Sequence, residues 1–280
     1  MRLLKVAAIQ AGVDPHWRRE EWLDHLRWQL AACREEGVGL AVFPAWTGCY
    51  EETFPHGFPW RAAGELLGLL GGLAREAGVY LVPGTIPIRE QERIFLRSFL
   101  FSPTGHCLGY QDQLCPPAGY EAGTELVVFP TVWGKVGLLI EGDATVPELA
   151  RFMVCRGVEI VCHPTASPLP GPPSRHGLPQ VVQAYRVFGV QAPLIGLFAG
   201  QTYRGRAKVL VPRAMTDDES GVMAQARDPS ATEIVTATVD LDKLERLRAG
   251  DDGLHPFLCR DELPAAYRRL EQFVRAAPEE

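Results

Sequence analysis

Apolar residues recur along the first third of the chain in two alternating patterns. Residues 3–10, 38–44 and 79–82 form short, almost continuously apolar runs, which are typical of strands buried on both faces. Between these runs, apolar side chains are spaced for one buried helix face, at Leu23, Leu26, Leu30 and Cys33 and again at Leu66, Leu69, Leu70 and Leu73. The alternation of strand and helix predicts an α/β fold with helices stacked on a sheet.

The rest of the chain mixes hairpins with further strand–helix units. Residues 94–101 and 106–111 flank a Ser-Pro-Thr-Gly turn and predict a hairpin, and residues 207–212 and 221–225 predict a second one. Further strands are predicted at 158–162, 194–200 and 233–240, and helices at 178–190 and 241–248. Because no repeat or long linker divides the chain, we expect a single domain over residues 1–280, with a C-terminal extension over about 250–280.

One stretch, residues 135–157, leads from a strand almost directly into a helix. Its apolar run ends at the sequence E-G-D, which begins with Glu141. Thr145 and Glu148 have the spacing of a capping box, Pro147 suits a first helical turn, and Gly157 can end the helix. A sharp turn of this kind presents one side chain at the edge of a sheet, beside the free N–H groups of the helix.

Composition and charge exclude several classes of partner. The 280 residues are 46% hydrophobic and carry a net charge of -6, which argues against nucleic acid or an anionic membrane as the main partner. No apolar run is long enough to span a membrane, and the first ten residues do not resemble a signal peptide. Seven scattered cysteines indicate reduced thiols in a cytoplasmic protein. We expect no metal and no cofactor, and we interpret Cys162 beside His163 as a core thiol.

Blocks spread over most of the chain carry a family resemblance. In order they are V-A-A-I-Q, L-A-V-F-P, T-G-C-Y, G-Y-Q-D-Q-L, the E-G-D turn with P-E-L-A-R and V-E-I-V-C-H-P, A-Y-R-V, and T-V-D-L-D-K-L-E-R-L-R. Together they resemble the carbon–nitrogen hydrolases of the nitrilase superfamily. The resemblance implies a four-layer α-β-β-α sandwich, which pairs with a second copy to form an eight-layer homodimer or a higher homo-oligomer.

The resemblance also implies a Cys-Glu-Lys site, and it assigns each role to a position in this sequence. The nucleophilic cysteine corresponds to Glu141, the general base to Ala45, and the charge-stabilising lysine to Gln113. A carboxylate is a poor nucleophile towards an amide, a methyl group cannot move a proton, and an uncharged amide loses much of the electrostatic stabilisation. A further glutamate of the family has a shifted candidate in Glu121.

We therefore interpret the chain as a non-catalytic homologue, a pseudoenzyme with a ligand-binding or assembly role. Its vestigial pocket is expected to include Trp46, Tyr50, Gly142 and His163. We expect Glu141 to have a raised pKa or a partner: either an arginine pairs with it and closes the pocket, or it meets a cationic or hydrogen-bond-donating ligand.

Two alternatives remain open from the residues alone. The chain could be an amidohydrolase with rewired residues, in which Cys49, followed by Glu51 and Glu52, or Cys115 supplies a relocated nucleophile. It could also be a small-molecule sensor. Asp143 is assigned a structural role, as a carboxylate that stabilises a turn.

Overall fold

The computed structural model describes residues 1–50, 60–166 and 177–250. The predicted C-terminal extension, Glu51 and Glu52 lie outside these ranges. The strands are β1 Leu3–Gly12, β2 Leu40–Val42, β3 Tyr80–Val82, β4 Thr85–Glu90, β5 Arg93–Phe101, β6 Cys107–Asp112, β7 Val128–Pro130, β8 Lys135–Leu138, β9 Val158–Thr165, β10 Phe188–Phe198, β11 Gln201–Tyr203, β12 Lys208–Leu210, β13 Val222–Gln225 and β14 Glu233–Asp240. The helices are α1 Arg19–Glu35, α2 Trp60–Ala77, α3 Pro147–Cys155, α4 Leu178–Tyr185 and α5 Leu241–Ala249.

The strands form two sheets that join at one end. In the first sheet β1, β2 and β3 are parallel, β14 lies antiparallel beside β1, and β5 pairs antiparallel with β3, β4 and β6. In the second sheet β8, β9 and β10 are parallel, with β7 and β12 antiparallel at either side and β13 beyond β12. The sheets meet where the end of β1 runs parallel to β10, pairing Ala11 with Leu194 and Gly12 with Ile195.

The side chains of β1 show why the fold has four layers. Leu4, Val6 and Ala8 belong to the core between the two sheets, whereas Ala7 and Ile9 belong to the core under α1 and α2. This alternation is the normal period of a strand, and it buries both faces of β1. A third core lies between the second sheet and the helices α3 and α4. The predicted four-layer α-β-β-α sandwich is confirmed.

Some predicted elements differ from the observed ones. The helix predicted at 178–190 ends earlier, because Arg186 adopts a left-handed backbone (φ 50°) and the chain enters β10 at Phe188. The strands β4, β7 and β11 are additional to the prediction.

The expectation of unpaired thiols is met in the described residues. Cys162 lies in the core between the sheets, and all six cysteines in these ranges are free thiols. No helix of the described ranges combines the length and the apolar character needed to cross a bilayer.

Candidate functional site

The turn after β8 is the elbow that the sequence predicts. A 3-10 turn, Glu141–Thr145, follows β8, and α3 begins two residues later. Glu141 has a left-handed backbone with φ of 48°, a conformation that costs an ordinary residue about 1–2 kcal/mol. The His163 Nε2 atom donates to the Glu141 carbonyl oxygen at 2.9 Å, which fixes the turn from the neighbouring strand β9.

The predicted capping box at the start of this helix is wrong. Val146 is the N-cap of α3, and the Thr145 hydroxyl instead donates to the Gly142 carbonyl oxygen at 2.7 Å, inside the 3-10 turn. The 3-10 turn therefore occupies the residues that the capping box would have needed. Pro147 begins α3 and Gly157 follows its end with φ of 87°, as predicted.

The Glu141 carboxyl group is enclosed by protein and held by two donors. Its Oε2 atom accepts from the Ala166 N–H at 2.8 Å, and the Trp46 side chain also donates to it. Burial raises the Glu141 pKa from 4.5 to about 8, the two hydrogen bonds oppose that rise, and the nearby Asp143 charge adds to it. The expected rise in pKa is confirmed, and the carboxyl group is mostly protonated at pH 7.

The alternative in which an arginine neutralises Glu141 is wrong for the part of the chain that the structure describes. No lysine or arginine there lies within ion-pair distance of the carboxyl group. Glu141 nevertheless keeps part of its surface accessible, and the adjacent Gly142 is exposed with open space at its Cβ position. The elbow therefore reaches the surface at Gly142, and we call the enclosed surroundings of the Glu141 carboxyl group the recess.

Aromatic side chains from separate segments of the chain lie beside this recess. Trp46, which follows β2, lies with its ring centroid 5.7 Å from that of Phe198 and 6.0 Å from that of Tyr120. Phe198 in turn contacts Tyr203 at 6.4 Å, and the charge of Glu141 raises the Tyr203 pKa, although burial is the larger cause. Ala45, Cys49 and Ala166 pack into the same cluster.

The structure brings most of the predicted pocket residues together. Trp46 and His163 both bond to Glu141, and Gly142 follows it in the chain. Tyr50 is placed elsewhere: its ring stacks on Trp22 at 4.9 Å in the core between the first sheet and its helices. A tyrosine four residues after Trp46 points to the opposite side of the loop, which the sequence pattern does not reveal.

Tyr120, Phe198 and Tyr203 are site residues that the sequence analysis missed. Tyr120 stands a few residues after Gln113, within the segment already considered for a shifted glutamate. Phe198 and Tyr203 reach the site because β10 and β11 pair antiparallel across residues 199 and 200. No local pattern in the sequence marks that approach.

The two other positions assigned by the resemblance lie on the inner side of the first sheet. Ala45 is fully buried and forms a backbone bridge with Thr85. Gln113 is buried just after β6, and its Nε2 atom donates to the Cys115 carbonyl oxygen at 3.3 Å. Thr85 pairs with Ser98 across neighbouring strands, so their side chains project from the same face.

That inner face carries buried polar atoms without hydrogen-bond partners. Among the described residues, the Thr85 and Ser98 hydroxyl groups and the Gln113 Oε1 atom make no hydrogen bond. Ser98 lies two residues before Leu100, whose side chain belongs to the core between the sheets, so the Ser98 hydroxyl also faces the second sheet. Buried polar groups of this kind are usually paired with protein, water or a ligand.

Asp143 has the structural role that the sequence predicts, although it stabilises a different turn. Its carboxylate accepts from the N–H groups of Leu114 at 2.9 Å and of Cys115 at 2.8 Å. Both donors belong to the loop after β6, so Asp143 joins that loop to the elbow. Burial raises its pKa, and backbone hydrogen bonds oppose the rise.

Burial raises the pKa of both thiols considered as relocated nucleophiles. Cys49 is fully buried, and burial raises its pKa. Cys115 is exposed, and its pKa is also raised, by burial and by the charge of Asp143. A nucleophilic cysteine needs a lowered pKa, which neither of these residues has. Glu121 is exposed, and its backbone N–H bonds to the Ile94 carbonyl oxygen.

The fold and the site define a class of protein. Two sheets packed face to face and flanked by helices, with one side chain presented at a strand-to-helix elbow, are the architecture of an α-β-β-α sandwich. The profile of the carbon-nitrogen hydrolase family matches residues 5–249, and this chain belongs to that family.

Individual proteins support the same assignment. The chain is 26% identical over 266 residues to a nitrilase of Pyrococcus abyssi, covering 89% of this chain and 94% of that protein. It is 30% identical over 170 residues to the bifunctional nitrilase/nitrile hydratase NIT4B of Nicotiana tabacum, covering 51% of this chain and 49% of that protein. The match therefore spans only about half of the tobacco protein's length.

Among solved structures, the chain is similar to Saccharomyces cerevisiae Nit3, a member of branch 10 of the nitrilase superfamily. The TM-score is 0.73 at 20% sequence identity, over 89% of this chain and 94% of that one. The fold is therefore that of the nitrilase superfamily.

Proposed function

We propose that this chain is a non-catalytic member of the carbon-nitrogen hydrolase family that keeps its site as a small-molecule binding pocket. The observation that carries the proposal is that the tip of the elbow carries the Glu141 carboxyl group, whose pKa burial raises to about 8. A carboxyl group attacking an amide would form an anhydride, which is less stable than the amide, and protonation removes the little nucleophilicity that a carboxylate has.

Ala45 and Gln113, which stand at the positions of the base and the lysine, also favour a non-catalytic role. The Ala45 methyl group is fully buried and cannot accept or return a proton. Gln113 carries no charge, and its amide N–H group is directed to the Cys115 carbonyl oxygen. Neither residue supplies the base or the charge stabilisation that hydrolysis of a C–N bond requires. Groups that act as a unit lose most of their effect when one of them is missing.

An assay of the purified protein against nitriles, amides and N-carbamoyl amines tests the proposal. We expect no turnover above that of the Glu141→Gln variant, and no covalent adduct in intact-protein mass spectrometry. The Pyrococcus abyssi nitrilase, run in parallel on the nitriles, shows that the assay detects activity. Turnover by the wild type that either Glu141→Gln or Cys115→Ser abolishes would establish the rewired amidohydrolase instead.

We also propose that two copies pair, sandwich against sandwich, and that the protein is cytoplasmic. The family resemblance supports the pairing, and the free thiols support a reducing compartment. Sedimentation velocity measures the first directly, and a monomer at micromolar concentration would contradict it.

A further inference from the structure

The recess at Glu141 combines a carboxyl group with an aromatic surround. We propose that it binds a small organic ammonium ion, with the nitrogen against the Glu141 carboxylate and the carbon substituent against Trp46, Phe198 and Tyr203. This inference rests on the proposed non-catalytic role, because it uses Glu141 as a ligand-binding group.

The charges around the recess favour a cation. The acidic groups there are Glu141 and Asp143, which follow β8, and no ion pair of the described residues neutralises Glu141. His163 on β9 is neutral, since burial lowers its pKa to about 4, and its Nε2–H group is used by the Glu141 carbonyl oxygen. Cys49 and the phenols of Tyr120 and Tyr203 are also neutral, because burial raises their pKa. Among the described residues, an anionic ligand would meet two carboxyl groups and no ion-pair partner of Glu141.

The aromatic rings supply the second half of the site. Trp46, Phe198 and Tyr203 form a continuous chain of ring contacts, with centroid separations of 5.7 and 6.4 Å. Trp46 donates to the Glu141 carboxyl group, so this chain of ring contacts begins at Glu141. Aromatic faces attract organic cations, and desolvation strengthens that attraction.

The first sheet offers further acceptors for an N–H-rich head group. The Gln113 Oε1 atom and the Thr85 and Ser98 hydroxyl oxygens are buried and have no hydrogen-bond partner in the described part of the chain. Thr85 bridges Ala45, which packs with Trp46 and Ala166 in the cluster around the recess. An ammonium group has three donors and no acceptor, so it suits a site in which acceptors predominate.

Protonation of Glu141 gives the binding a diagnostic signature. With a pKa of about 8, the free carboxyl group holds its proton at pH 7. An ammonium ion favours the carboxylate, so binding must release a proton to the buffer. The affinity should therefore rise with pH up to about 8. A neutral hydrogen-bonding ligand leaves the proton in place and has no such dependence.

Isothermal titration calorimetry with benzylamine, benzyl alcohol and benzoate tests the inference, because the three probes share a ring and differ in charge. We expect benzylamine to bind at least about tenfold more tightly than benzyl alcohol, and benzoate not to bind. Titrations at pH 7 in phosphate and in Tris, which differ in ionisation enthalpy, should report the release of close to one proton.

Glu141→Gln should weaken benzylamine at least about tenfold and abolish the proton release. Glu148→Gln, an exposed change on α3, is the matched control and should alter neither. Equal affinities for benzylamine and benzyl alcohol, or benzylamine binding without proton release, would overturn the inference using wild-type protein alone. Such a calorimetric result leaves the proposed non-catalytic role intact. Turnover in the nitrile and amide assay would overturn that role, whatever calorimetry shows.

Discussion

Two residues with left-handed backbones, Trp46 at φ 65° and Glu141 at φ 48°, are joined by a side-chain hydrogen bond. Neither is a glycine, so each conformation has a cost that the surrounding structure must offset. The Glu141 turn is offset by the His163 bond to its carbonyl oxygen, and the Cys49 N–H bond to the Trp46 carbonyl oxygen closes the turn after β2. Backbone strain of this kind concentrates at functional sites, and here it sets the direction of both side chains.

The raised pKa of Glu141 makes stability depend on pH. The unfolded chain releases this proton above about pH 4.5, whereas the folded protein holds it until about pH 8. The free energy of unfolding should therefore fall by up to about 1.4 kcal/mol per pH unit across that window, and this contribution should level off above it. In Glu141→Gln the contribution disappears, so the variant should gain stability relative to wild type as pH rises from 5 to about 8.

Urea unfolding at pH 5, 6.5 and 8 measures this difference. Asp143, whose pKa is also raised, is present in both proteins and largely cancels from the comparison. Glu148→Gln should follow the wild-type curve, because Glu148 is exposed. If the free energies of unfolding of Glu141→Gln and wild type change in parallel between pH 5 and 8, the Glu141 carboxyl group is ionised in the folded protein.

The sequence predicted the part of the site that follows β8 and missed the part contributed by β11. Glu141, Trp46 and His163 could be identified because each lies at or next to the end of a recognisable strand. Phe198 and Tyr203 could not, since their approach depends on how far the chain turns back after residue 198. Tyr50 was misplaced for the same reason, because loop direction decides which core receives a side chain.

At the scale of elements, the strands missed by the pattern are those with conflicting local signals. β4 contains Pro87, which weakens a strand prediction, and β11 has only three residues. The helix predicted over 178–190 ends before Arg186, because that residue has a left-handed backbone that its residue type does not indicate. The apolar runs of β1 and β9 were predicted because burial on a regular period leaves a clear signal.

The packing of α2 gives a prediction at this scale, through two adjacent glycines. A Cβ at Gly71 would collide with the Gly105 carbonyl oxygen in the turn between β5 and β6, whereas a Cβ at Gly72 meets nothing within 4 Å. Gly71→Ala should therefore reduce the free energy of unfolding by about 1–3 kcal/mol. Gly72→Ala should increase it by about 0.5–1 kcal/mol, because alanine favours the helix.

Urea unfolding of the two variants beside wild type checks both signs. Helix propensity changes equally in the pair, so their difference isolates the contact with the turn. Two stabilising substitutions would show that α2 does not approach Gly105 as closely as the structure has it.

At the scale of the whole molecule, Arg2 links the two sheets at the end opposite to the β1–β10 junction. Its Nε atom donates to Asp242 on α5 at 2.9 Å, and its Nη1 atom donates to Glu159 on β9 at 3.2 Å and to the Trp133 carbonyl oxygen at 3.0 Å. Several partners share one side chain here. Such a network constrains the chain more than an isolated surface ion pair does.

Replacement of Arg2 should therefore destabilise the sandwich as a unit. We expect Arg2→Met, which keeps the aliphatic stem, to lower Tm by about 3 °C in differential scanning calorimetry. Arg27→Met removes exposed ion pairs with Asp24 on α1 and Glu76 on α2 and should change Tm by less than about 1 °C. A shift for Arg27→Met as large as that for Arg2→Met would contradict a bridging role for the network.

The elbow also constrains how this lineage can change. Hydrogen bonds made by His163 and Asp143 fix its backbone, and neither bond involves the side chain of residue 141. The codons for glutamate and cysteine differ at every nucleotide, so no point mutation of the gene exchanges one for the other at this tip. A gene that acquires a cysteine codon there by single-nucleotide changes must first encode a third residue. The hydrogen bonds that hold the turn are compatible with each of these residues.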